Sequence, residues 1–231
     1  MRTPELSLVM PAYNEAAHLR THVLGIVKTL EKKNIDYEIL VVDNGSRDDT
    51  ARVLADLKDE NVRIIPVTLS QNAGYGGGIL VGLAKARGNI LGWIDADGQQ
   101  APEAIVRVFE SLRAGNAGFA KGVRVIRQEN RFRRIQSMFF NMLFRLLFGS
   151  YATDVNAKPK LMRRNAYERM DLTYQDWFID AELVIQMKRN SIPIIEIPIE
   201  WHRRKEGRSN VRLLTVIEFL WNMLLYRLGL R

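Results

Sequence analysis

Short apolar runs alternate along the chain with segments whose apolar side chains recur at helical spacing. Four runs have the length and composition of buried strands, at residues 6–10, 37–42, 62–69 and 90–94. Three segments between them are apolar every three or four positions and predict amphipathic helices, at residues 18–30, 51–58 and 79–87. Strands that alternate with helices in this way predict βαβ units, and therefore an α/β fold with a mostly parallel sheet flanked by helices.

Acidic side chains follow three of these apolar runs at the point where each run stops. Glu15 follows the first run, Asp43 follows the second, and Asp95 and Asp97 follow the run at 90–94. The ligand crevice of an open α/β sheet lies outside the carboxyl ends of its strands. We therefore expect these acids to share one rim of the molecule.

Asp95 and Asp97 are separated by one residue, and this spacing puts both on one face if the strand alternation continues. Two carboxylates on one face can jointly serve a cation and its ligand. Oxygen-rich sites of this kind suit Mg²⁺ or Mn²⁺ bound to a phosphate-bearing substrate. The other interpretation is a strand that is followed by an ordinary Asp-Gly turn.

Glycines cluster at residues 74–78, where a helix is predicted to open. Backbone N–H groups at a helix start attract anions, so the cluster can cradle a phosphate. It can equally form a tight turn that allows close packing. It matches neither the dinucleotide fingerprint nor the P-loop, because no Gly-Lys-Ser/Thr follows.

Composition narrows the function classes. The 231 residues are 47% hydrophobic, enough for a real core, and the absence of Cys excludes disulfides, thiolate metal sites and a Cys nucleophile. The net charge of +8 implies an anionic partner: nucleic acid, an acidic membrane surface or a phosphorylated substrate. Nucleic acid is not expected, because the basic residues form no recognised aromatic-basic module. The N-terminus has no signal-peptide pattern.

The second half of the chain adds basic and strongly apolar segments. Residues 119–124 predict a strand that ends in basic residues, and two prolines in the strand predicted at 192–199 indicate an edge position or a bulge. Residues 131–148 predict a helix that is apolar almost all round, which either packs internally against the sheet or lies at a lipid interface. Residues 211–230 predict an amphipathic helix on a bilayer or a partner, since Glu218 at its centre argues against a membrane span.

Three strand-end motifs together resemble one family. Pro11–Glu15 resembles P-x-Y-N-E, and residues 43–50 resemble D-D-G-S-x-D-x-T, with Asn44 replacing the second Asp. Residues 95–103 resemble the D-A-D-x-Q-x-x-P-E of polyprenyl-phosphate mannose and glucose synthases. The chain is similar to family 2 glycosyltransferases of the GT-A type, and further matches follow in the second half: the helix start at 177–183, Glu196, Pro198, Arg204, Gly207 and Ser209.

The resemblance implies a GT-A fold, Rossmann-like, with a mostly parallel sheet and amphipathic helices at the membrane interface. It implies a glycosyltransferase domain over residues 1–210, followed by an amphipathic C-terminal helix at 211–231. Within the domain, residues 1–125 correspond to the half that binds the nucleotide sugar and residues 126–210 to the half that binds the acceptor.

The resemblance also implies a donor site for a nucleoside diphosphate sugar of the GDP-mannose or UDP-glucose type. Asp97 and Gln99 would hold Mg²⁺ or Mn²⁺, and Asp95 would contact the ribose or a metal-bound water. Catalysis is assigned to Asp95 and Asp97 together with Arg124 and Arg204, which offset charge on the leaving diphosphate. The residues expected to bind the donor are Pro11, Tyr13, Glu15, Val41, Asp43, Asp95, Ala96, Asp97, Arg124 and Arg204.

The acceptor decides whether a catalytic base is needed. Arg133 and Ser137 fit the arginine and serine that bind the lipid phosphate in the synthases. A phosphate monoester is largely anionic at neutral pH and attacks without giving up a proton, whereas a sugar hydroxyl needs a general base. Asp180 or Glu182 is the candidate base for a hydroxyl acceptor.

Two departures from the family pattern bear on the site. Residues 158–160 read Lys-Pro-Lys where many synthases have Gly-Phe, which affects the local acceptor geometry. Asn210 stands where Lys is usual, so one positive charge expected near the diphosphate is missing.

The expected function is metal-dependent, inverting transfer of a sugar to polyprenyl or dolichyl phosphate, by a protein that sits peripherally on the cytoplasmic membrane face. Its expected partners are the nucleotide sugar, the lipid phosphate and the membrane surface, and a separate transmembrane subunit is compatible with this assignment. Two alternatives stay open: a soluble family 2 transferase acting on a saccharide hydroxyl, and a nucleotide-sugar-binding assembly protein without turnover.

Overall fold

The computed structural model describes residues 3–127, 131–149, 153–201 and 213–230. The strands are β1 Leu6–Ala12, β2 Tyr37–Asp43, β3 Ile64–Thr68, β4 Ile90–Trp93, β5 Phe119–Arg127, β6 Lys160–Arg163 and β7 Ile194–Trp201. The helices are α1 Ala16–Lys32, α2 Thr50–Glu60, α3 Gly74–Lys85, α4 Pro102–Ala114, α5 Arg131–Phe148, α6 Arg164–Tyr167, α7 Ile179–Arg189 and α8 Leu213–Arg227.

The strands form one sheet in the order β3-β2-β1-β4-β6-β5-β7. Strands β1 to β4 are mutually parallel, and β5 is parallel to β7. Strand β6 runs antiparallel to both of its neighbours, β4 and β5. The mostly parallel α/β sheet predicted from the sequence is therefore confirmed, with β6 as the exception.

The reversed direction of β6 matters for the site. Lys160, the first residue of β6, pairs with Trp93, the last residue of β4. The segment that enters β6 therefore lies at the same edge of the sheet as the carboxyl ends of β1, β2 and β4. The Lys-Pro-Lys segment is brought to the rim where the acids lie.

Alternate residues of the central strands feed two cores, one on each face of the sheet. Leu8 of β1 faces a core that includes α1 and α4, whereas its neighbour Val9 faces a core that includes α3 and α7. Helix α1 contributes buried side chains at helical spacing, and α4 begins with Pro102 at a position that suits the fixed φ of proline. Burial on both faces explains why the central strands read as continuous apolar runs.

Some element boundaries differ from those read from the sequence. Helix α3 begins at Gly74, so the glycine cluster forms its first turn and does not precede it. Strand β3 is shorter than the run at 62–69. Strand β7 is at the sheet edge, as its prolines predicted, and its pairing with β5 shifts register between Arg124 and Ile126.

Helices α5 and α8 pack on the α3–α7 face through aromatic side chains. Phe144 is fully buried, Phe140 meets Phe219 edge-on at 4.6 Å, and Phe219 meets Phe178 at 5.2 Å between ring centroids. Internal packing therefore accounts for one side of α5. The other sides of α5 and α8 expose large apolar residues: Met138, Phe139, Met142, Leu146, Trp221 and Leu224. Leu228, just after α8, is exposed as well.

Within the described ranges, no helix combines the length and the apolarity that crossing a bilayer requires. The interfacial role predicted for α5 and α8 stays a prediction.

Candidate active site

The ends of β1 and β2 lie side by side and bring together the residues predicted to bind the nucleotide. Ala12 pairs with Asp43 and Pro11 with Val42, so Pro11, Tyr13, Val41 and Asp43 occupy one corner of the rim. Asp43 is buried, and its Oδ1 accepts a hydrogen bond of 3.0 Å from the Ser46 backbone N–H. Glu15 is also buried at the start of α1, where its backbone N–H donates to Thr50 Oγ1 at 3.0 Å.

Asn44, which replaces the second Asp of the family motif, ties β2 to the turn before α3. Its side-chain amide donates to the Gly74 carbonyl at 2.8 Å and to Asn72 Oδ1 at 3.4 Å. Its Oδ1 accepts from the Ala73 backbone N–H at 2.9 Å. An amide is required because the position both donates and accepts, and a carboxylate would face the Gly74 carbonyl without a proton.

The glycines of α3 serve close packing against the segment that precedes α7. The Gly77 N–H donates to the Gln175 carbonyl at 2.9 Å. A Cβ on Gly76 would overlap the Tyr174 carbonyl oxygen, and one on Gly74, whose φ is +82°, would overlap that of Gln175. This geometry favours the tight-turn interpretation of the cluster, since the chain itself uses the Gly77 amide.

Strand β4 ends at Trp93, so the strand alternation does not continue through Asp95 and Asp97. The two carboxylates have different neighbours. Asp95 Oδ1 accepts a hydrogen bond of 2.7 Å from the Tyr75 hydroxyl on α3, whereas Asp97 Oδ1 accepts one of 3.1 Å from the Gln99 backbone N–H. Gly98, with a φ of +68°, forms the turn between Asp97 and Gln99.

His22 of α1 lies beneath this turn. It is buried, and burial lowers the pKa of its imidazole to about 4 despite a hydrogen bond with the Asp95 backbone. A neutral imidazole here adds no positive charge next to Asp95 and Asp97.

The Asp97–Gln99 turn offers the oxygen ligands that a hard cation needs. Asp97 and Gln99 are half-buried and offer side-chain oxygens, which are the ligand type of Mg²⁺ and Mn²⁺. In the described part of the chain, no three His, Cys, Asp or Glu side chains group closely enough to hold a metal alone. Mg²⁺ is commonly bound by one or two protein side chains plus substrate phosphates, and the Asp97–Gln99 turn fits that arrangement.

Two lysines and one aspartate are buried next to the turn. Lys158 Nζ donates to Asp180 Oδ2 at 2.7 Å, and Lys160 Nζ makes a short hydrogen bond to Asp180 Oδ1. The Trp93 indole N–H also donates to Asp180, at 3.3 Å. Lys158 lies 3.8 Å from Asp95 Oδ2, which joins this group to the rim.

The ionisation of these groups follows from their pairing. Burial on its own would raise the pKa of Asp180, but the ammonium groups of Lys158 and Lys160 lower it below its ordinary value. Burial lowers the pKa of Lys160 to about 7, against the attraction of Asp180. Burial also disfavours charge on Lys158, but Asp180 and Asp95 outweigh it and raise the pKa of Lys158.

Glu182, the other candidate base, points into the protein. Its carboxylate accepts hydrogen bonds of 3.1 Å from the Thr173 N–H, the Thr173 hydroxyl and the Tyr174 N–H. Burial raises the pKa of Glu182 in spite of these donors. Both acids at the start of α7 are thus engaged in internal contacts.

Arg124, predicted to contact the diphosphate, is paired in the structure. Its guanidinium donates to Asp154 in a two-pronged arrangement, at 2.8 and 2.7 Å, and stacks 5.0 Å from the Trp201 ring centroid. An ion pair of 3.2 Å between the buried Lys121 and the half-buried Glu196 lies beside it.

The structure describes only some of the remaining residues predicted to contact phosphate groups. Arg204, predicted to contact the donor diphosphate, lies outside the described residues. For Arg133, predicted to bind the acceptor phosphate, the structure describes the helix position but not the side chain. Ser137 is half-buried on α5, and its carbonyl accepts from the Asn141 amide at 2.8 Å.

Sequence reasoning missed several residues that shape this rim. Tyr75 lies within the glycine cluster, and Trp177, which stacks on it with a centroid distance of 4.1 Å, belongs to a distant part of the sequence. Asp154, the partner of Arg124, lies 30 positions further along the chain. No local pattern in a single sequence marks such partners.

Residues 7–171 match Glycosyl transferase family 2. Two similar curated proteins, from Sodalis glossinidius and Pseudomonas fluorescens, are both named undecaprenyl-phosphate 4-deoxy-4-formamido-L-arabinose transferase. The first is 30% identical over 233 residues, covering 96% of this chain and 68% of that protein. The second is 29% identical over 229 residues, covering 95% and 63%. The chain thus spans about two thirds of the length of these relatives.

The fold is similar to that of glucosyl-3-phosphoglycerate synthase from Mycobacterium tuberculosis. The structure of that protein with Mn²⁺, UDP and phosphoglyceric acid has a TM-score of 0.77 at 20% identity, covering 98% of this chain and 79% of that chain. Its structure with Mn²⁺ and UDP-glucose has a TM-score of 0.74 at 20% identity, with the same coverage.

The chain belongs to glycosyl transferase family 2 and has the GT-A fold. The resemblance carried by the strand-end motifs is therefore confirmed.

Proposed function

We propose that this protein transfers a sugar from a nucleoside diphosphate sugar to a polyprenyl phosphate. Family membership supports sugar transfer, and the names of the two relatives support undecaprenyl phosphate as the acceptor type. The observation that carries the choice of acceptor is the pairing of Asp180 with Lys158 and Lys160.

A hydroxyl acceptor must lose a proton to a nearby base. Asp180 has the position expected of such a base, but two ammonium groups hold its carboxylate and lower its pKa, so it is a poor proton acceptor. Glu182 is turned toward the backbone of residues 173 and 174. A phosphate acceptor needs neither acid, because it is already anionic near neutral pH.

The proposed donor is a nucleoside diphosphate sugar of the UDP-glucose or GDP-mannose type. Its nucleoside would lie over the ends of β1 and β2, against Pro11, Tyr13, Glu15, Val41 and Asp43. Asp97 and Gln99 would hold Mg²⁺ or Mn²⁺, which stabilises the charge of a leaving diphosphate. Asp95 and Ala96 would contact the donor beside it.

In the proposed reaction an acceptor phosphate oxygen forms a bond to the anomeric carbon. The bond from that carbon to the diphosphate breaks, and its electron pair leaves with the nucleoside diphosphate, so the anomeric configuration inverts. Arg124 and Arg204 would offset charge on the departing diphosphate, and Arg133 with Ser137 would hold the acceptor phosphate. We assign residues 1–125 to the donor, residues 126–210 to the acceptor and residues 211–231 to an amphipathic C-terminal helix.

We place the protein at the cytoplasmic face of a membrane, where a lipid phosphate is reached through the exposed apolar sides of α5 and α8. A separate transmembrane subunit would be compatible with this location.

The test is a panel of donors, including GDP-mannose, UDP-glucose and UDP-N-acetylglucosamine, assayed with a short-chain polyprenyl phosphate and Mg²⁺ or Mn²⁺. The proposal expects transfer from at least one donor, loss of transfer with a chelator, and loss in Asp97→Ala. A free alkyl alcohol of the same chain length is the matched acceptor control. Transfer to the alcohol but to no lipid phosphate would refute the proposed acceptor class.

A further inference from the structure

The two carboxylate oxygens of Asp95 face two different donors. The Tyr75 hydroxyl donates to Oδ1 at 2.7 Å, and the Lys158 ammonium lies 3.8 Å from Oδ2. One donor comes from the first turn of α3 and the other from the segment that enters β6. The side chain of Asp95 is therefore held from the α3–α7 face of the sheet.

Both donors are themselves fixed by neighbours within the protein. The Tyr75 ring stacks on Trp177 with a centroid distance of 4.1 Å and an interplanar angle of 8°. Lys158 is buried, bonds to Asp180 at 2.7 Å, and lies 4.9 Å from the Tyr75 ring centroid. A hydrogen bond to a charged group between fixed partners restrains orientation strongly.

The order of the strands shows where this restrained carboxylate lies along the rim. From β2 through β1 and β4 to β6, the rim carries Asp43, Glu15, then Asp95 with Asp97, and then Lys158. A donor laid along it with its nucleoside over β2 and its diphosphate at Asp97 extends its sugar toward Lys158. The Oδ2 atom of Asp95 lies at that end, 3.8 Å from the Lys158 ammonium.

We propose that Tyr75 and Lys158 are positioning residues that hold the Asp95 carboxylate toward the donor sugar and away from the cation. Asp95 then serves as an acceptor for donor hydroxyl groups, while Asp97 and Gln99 hold the cation. Lys158 belongs to the Lys-Pro-Lys segment in which this chain departs from the family pattern. This assignment rests on the proposed function, because it takes the donor to be a nucleoside diphosphate sugar.

Tyr75→Phe is the decisive variant, since it removes the hydroxyl and keeps the ring that stacks on Trp177. Affinity is measured by calorimetry with Mn²⁺ present, for the nucleotide sugar and for the matching nucleoside diphosphate. We expect affinity for the nucleotide sugar to fall about tenfold and affinity for the nucleoside diphosphate to stay unchanged. We expect the same result for Lys158→Met: weaker binding of the nucleotide sugar and unchanged binding of the nucleoside diphosphate.

Tyr37→Phe is the matched control. The Tyr37 hydroxyl also forms hydrogen bonds: it donates to Glu31 Oε1 at 3.1 Å and accepts from the Asn61 amide at 3.2 Å. Tyr37 is the first residue of β2, so it lies at the end of the strand opposite the rim. Removing the Tyr37 hydroxyl should leave the affinities for the nucleotide sugar and for the nucleoside diphosphate as in the wild type. Tyr75→Phe keeps the test decisive if Lys158→Met does not fold.

Coupling to Asp95 separates positioning from a general structural effect. If Tyr75 acts through Asp95, Tyr75→Phe has no further effect on nucleotide-sugar affinity in an Asp95→Asn background. Independent losses that multiply, or a Tyr75→Phe variant no weaker than Tyr37→Phe, would overturn the inference. Because binding is measured without an acceptor, failure of lipid transfer refutes the proposed acceptor but leaves this test intact.

Discussion

At the scale of single residues, the site is built from polar groups whose partners dictate one residue type. Asn44 is the clearest case, because its amide donates to the Gly74 carbonyl while its oxygen accepts from the Ala73 N–H. The family motif has Asp at this position. In this chain the hydrogen-bond pattern around residue 44 requires a donor, so the departure is compensated by the turn at 72–74.

This pattern predicts the outcome of Asn44→Asp. The carboxylate cannot donate to the Gly74 carbonyl, so a partly buried acceptor loses its partner and the free energy of unfolding should fall by about 1–3 kcal/mol. Asn14→Asp is the control, since Asn14 uses its Oδ1 to accept from the Arg47 N–H, a role that a carboxylate keeps. Urea denaturation of the two variants measures the difference. Equal stability of the two would show that the amide donor is not needed.

The buried Lys160 predicts a pH dependence of stability. Burial lowers its pKa from 10.5 to about 7, so between these values the unfolded chain binds more protons than the folded protein. Stability therefore rises as pH increases from about 7 toward 10. Lys121, whose pKa burial also lowers, acts in the same direction.

Lys160→Met tests the assignment of this pH dependence. Between pH 7 and 9 the unfolding free energy of the wild type should rise, and that of the variant should rise less. Chemical denaturation at fixed ionic strength measures both curves. Curves that run parallel over this range would show that Lys160 stays fully charged in the folded protein.

At the scale of elements, the packing of α3 against the segment before α7 joins two parts of the chain that are far apart in sequence. Gly74, Gly76 and Gly77 let the backbone of α3 approach residues 174 and 175, and the Gly77 N–H bonds to the Gln175 carbonyl. Tyr75 lies within this turn and stacks on Trp177. The element contact thus sets the position of the tyrosine that bonds to Asp95.

Gly76→Ala should therefore be strongly destabilising. The added Cβ meets the Tyr174 carbonyl, which is backbone and cannot move aside as a side chain can, so we expect a loss of about 1–3 kcal/mol. Gly25→Ala in α1 is the matched control, because its Cβ meets only Pro102 at 3.4 Å. That variant gains helix propensity worth about 1 kcal/mol. Thermal melting of the two should give shifts of opposite sign, and a tolerated alanine at position 76 would contradict the close packing.

How far the sequence predicts these elements depends on how local their signals are. The central strands and α1 were predictable because burial on two faces gives continuous apolar runs and burial on one face gives helical spacing. Strand β6 is only four residues long, Lys160–Arg163, and its antiparallel direction depends on partners β4 and β5. No periodicity marks it.

The same distinction holds for the site. The strand-end acids were predictable because each follows an apolar run, and the carboxyl ends of parallel strands meet at one rim. The orientation of Asp95 was not, because Tyr75 and Lys158 come from other elements. Asp180 looked like a candidate base in the sequence, and only its contacts with two lysines reveal a different environment.

At the scale of the whole molecule, one surface differs from the rest in its exposed apolar side chains. Helices α5 and α8 pack on each other and on the α3–α7 face, and their outer sides carry Leu146, 80% exposed, and Trp221, 58% exposed. The protein as a whole carries a net charge of +8. Apolar side chains on amphipathic helices and a basic net charge together favour contact with an anionic bilayer.

Binding to lipid vesicles tests this surface. Wild-type protein should sediment with vesicles that contain anionic phospholipid, more weakly as salt increases, because the charge attraction is screened. Leu146→Glu with Trp221→Glu should abolish sedimentation by placing charge where apolar contact is expected. Val62→Glu is the control, since Val62 is 89% exposed but lies beside β3, away from α5 and α8. If the double variant sediments as well as the wild type, the membrane contact does not involve α5 and α8. If only Val62→Glu loses sedimentation, the surface near β3 contacts the membrane instead.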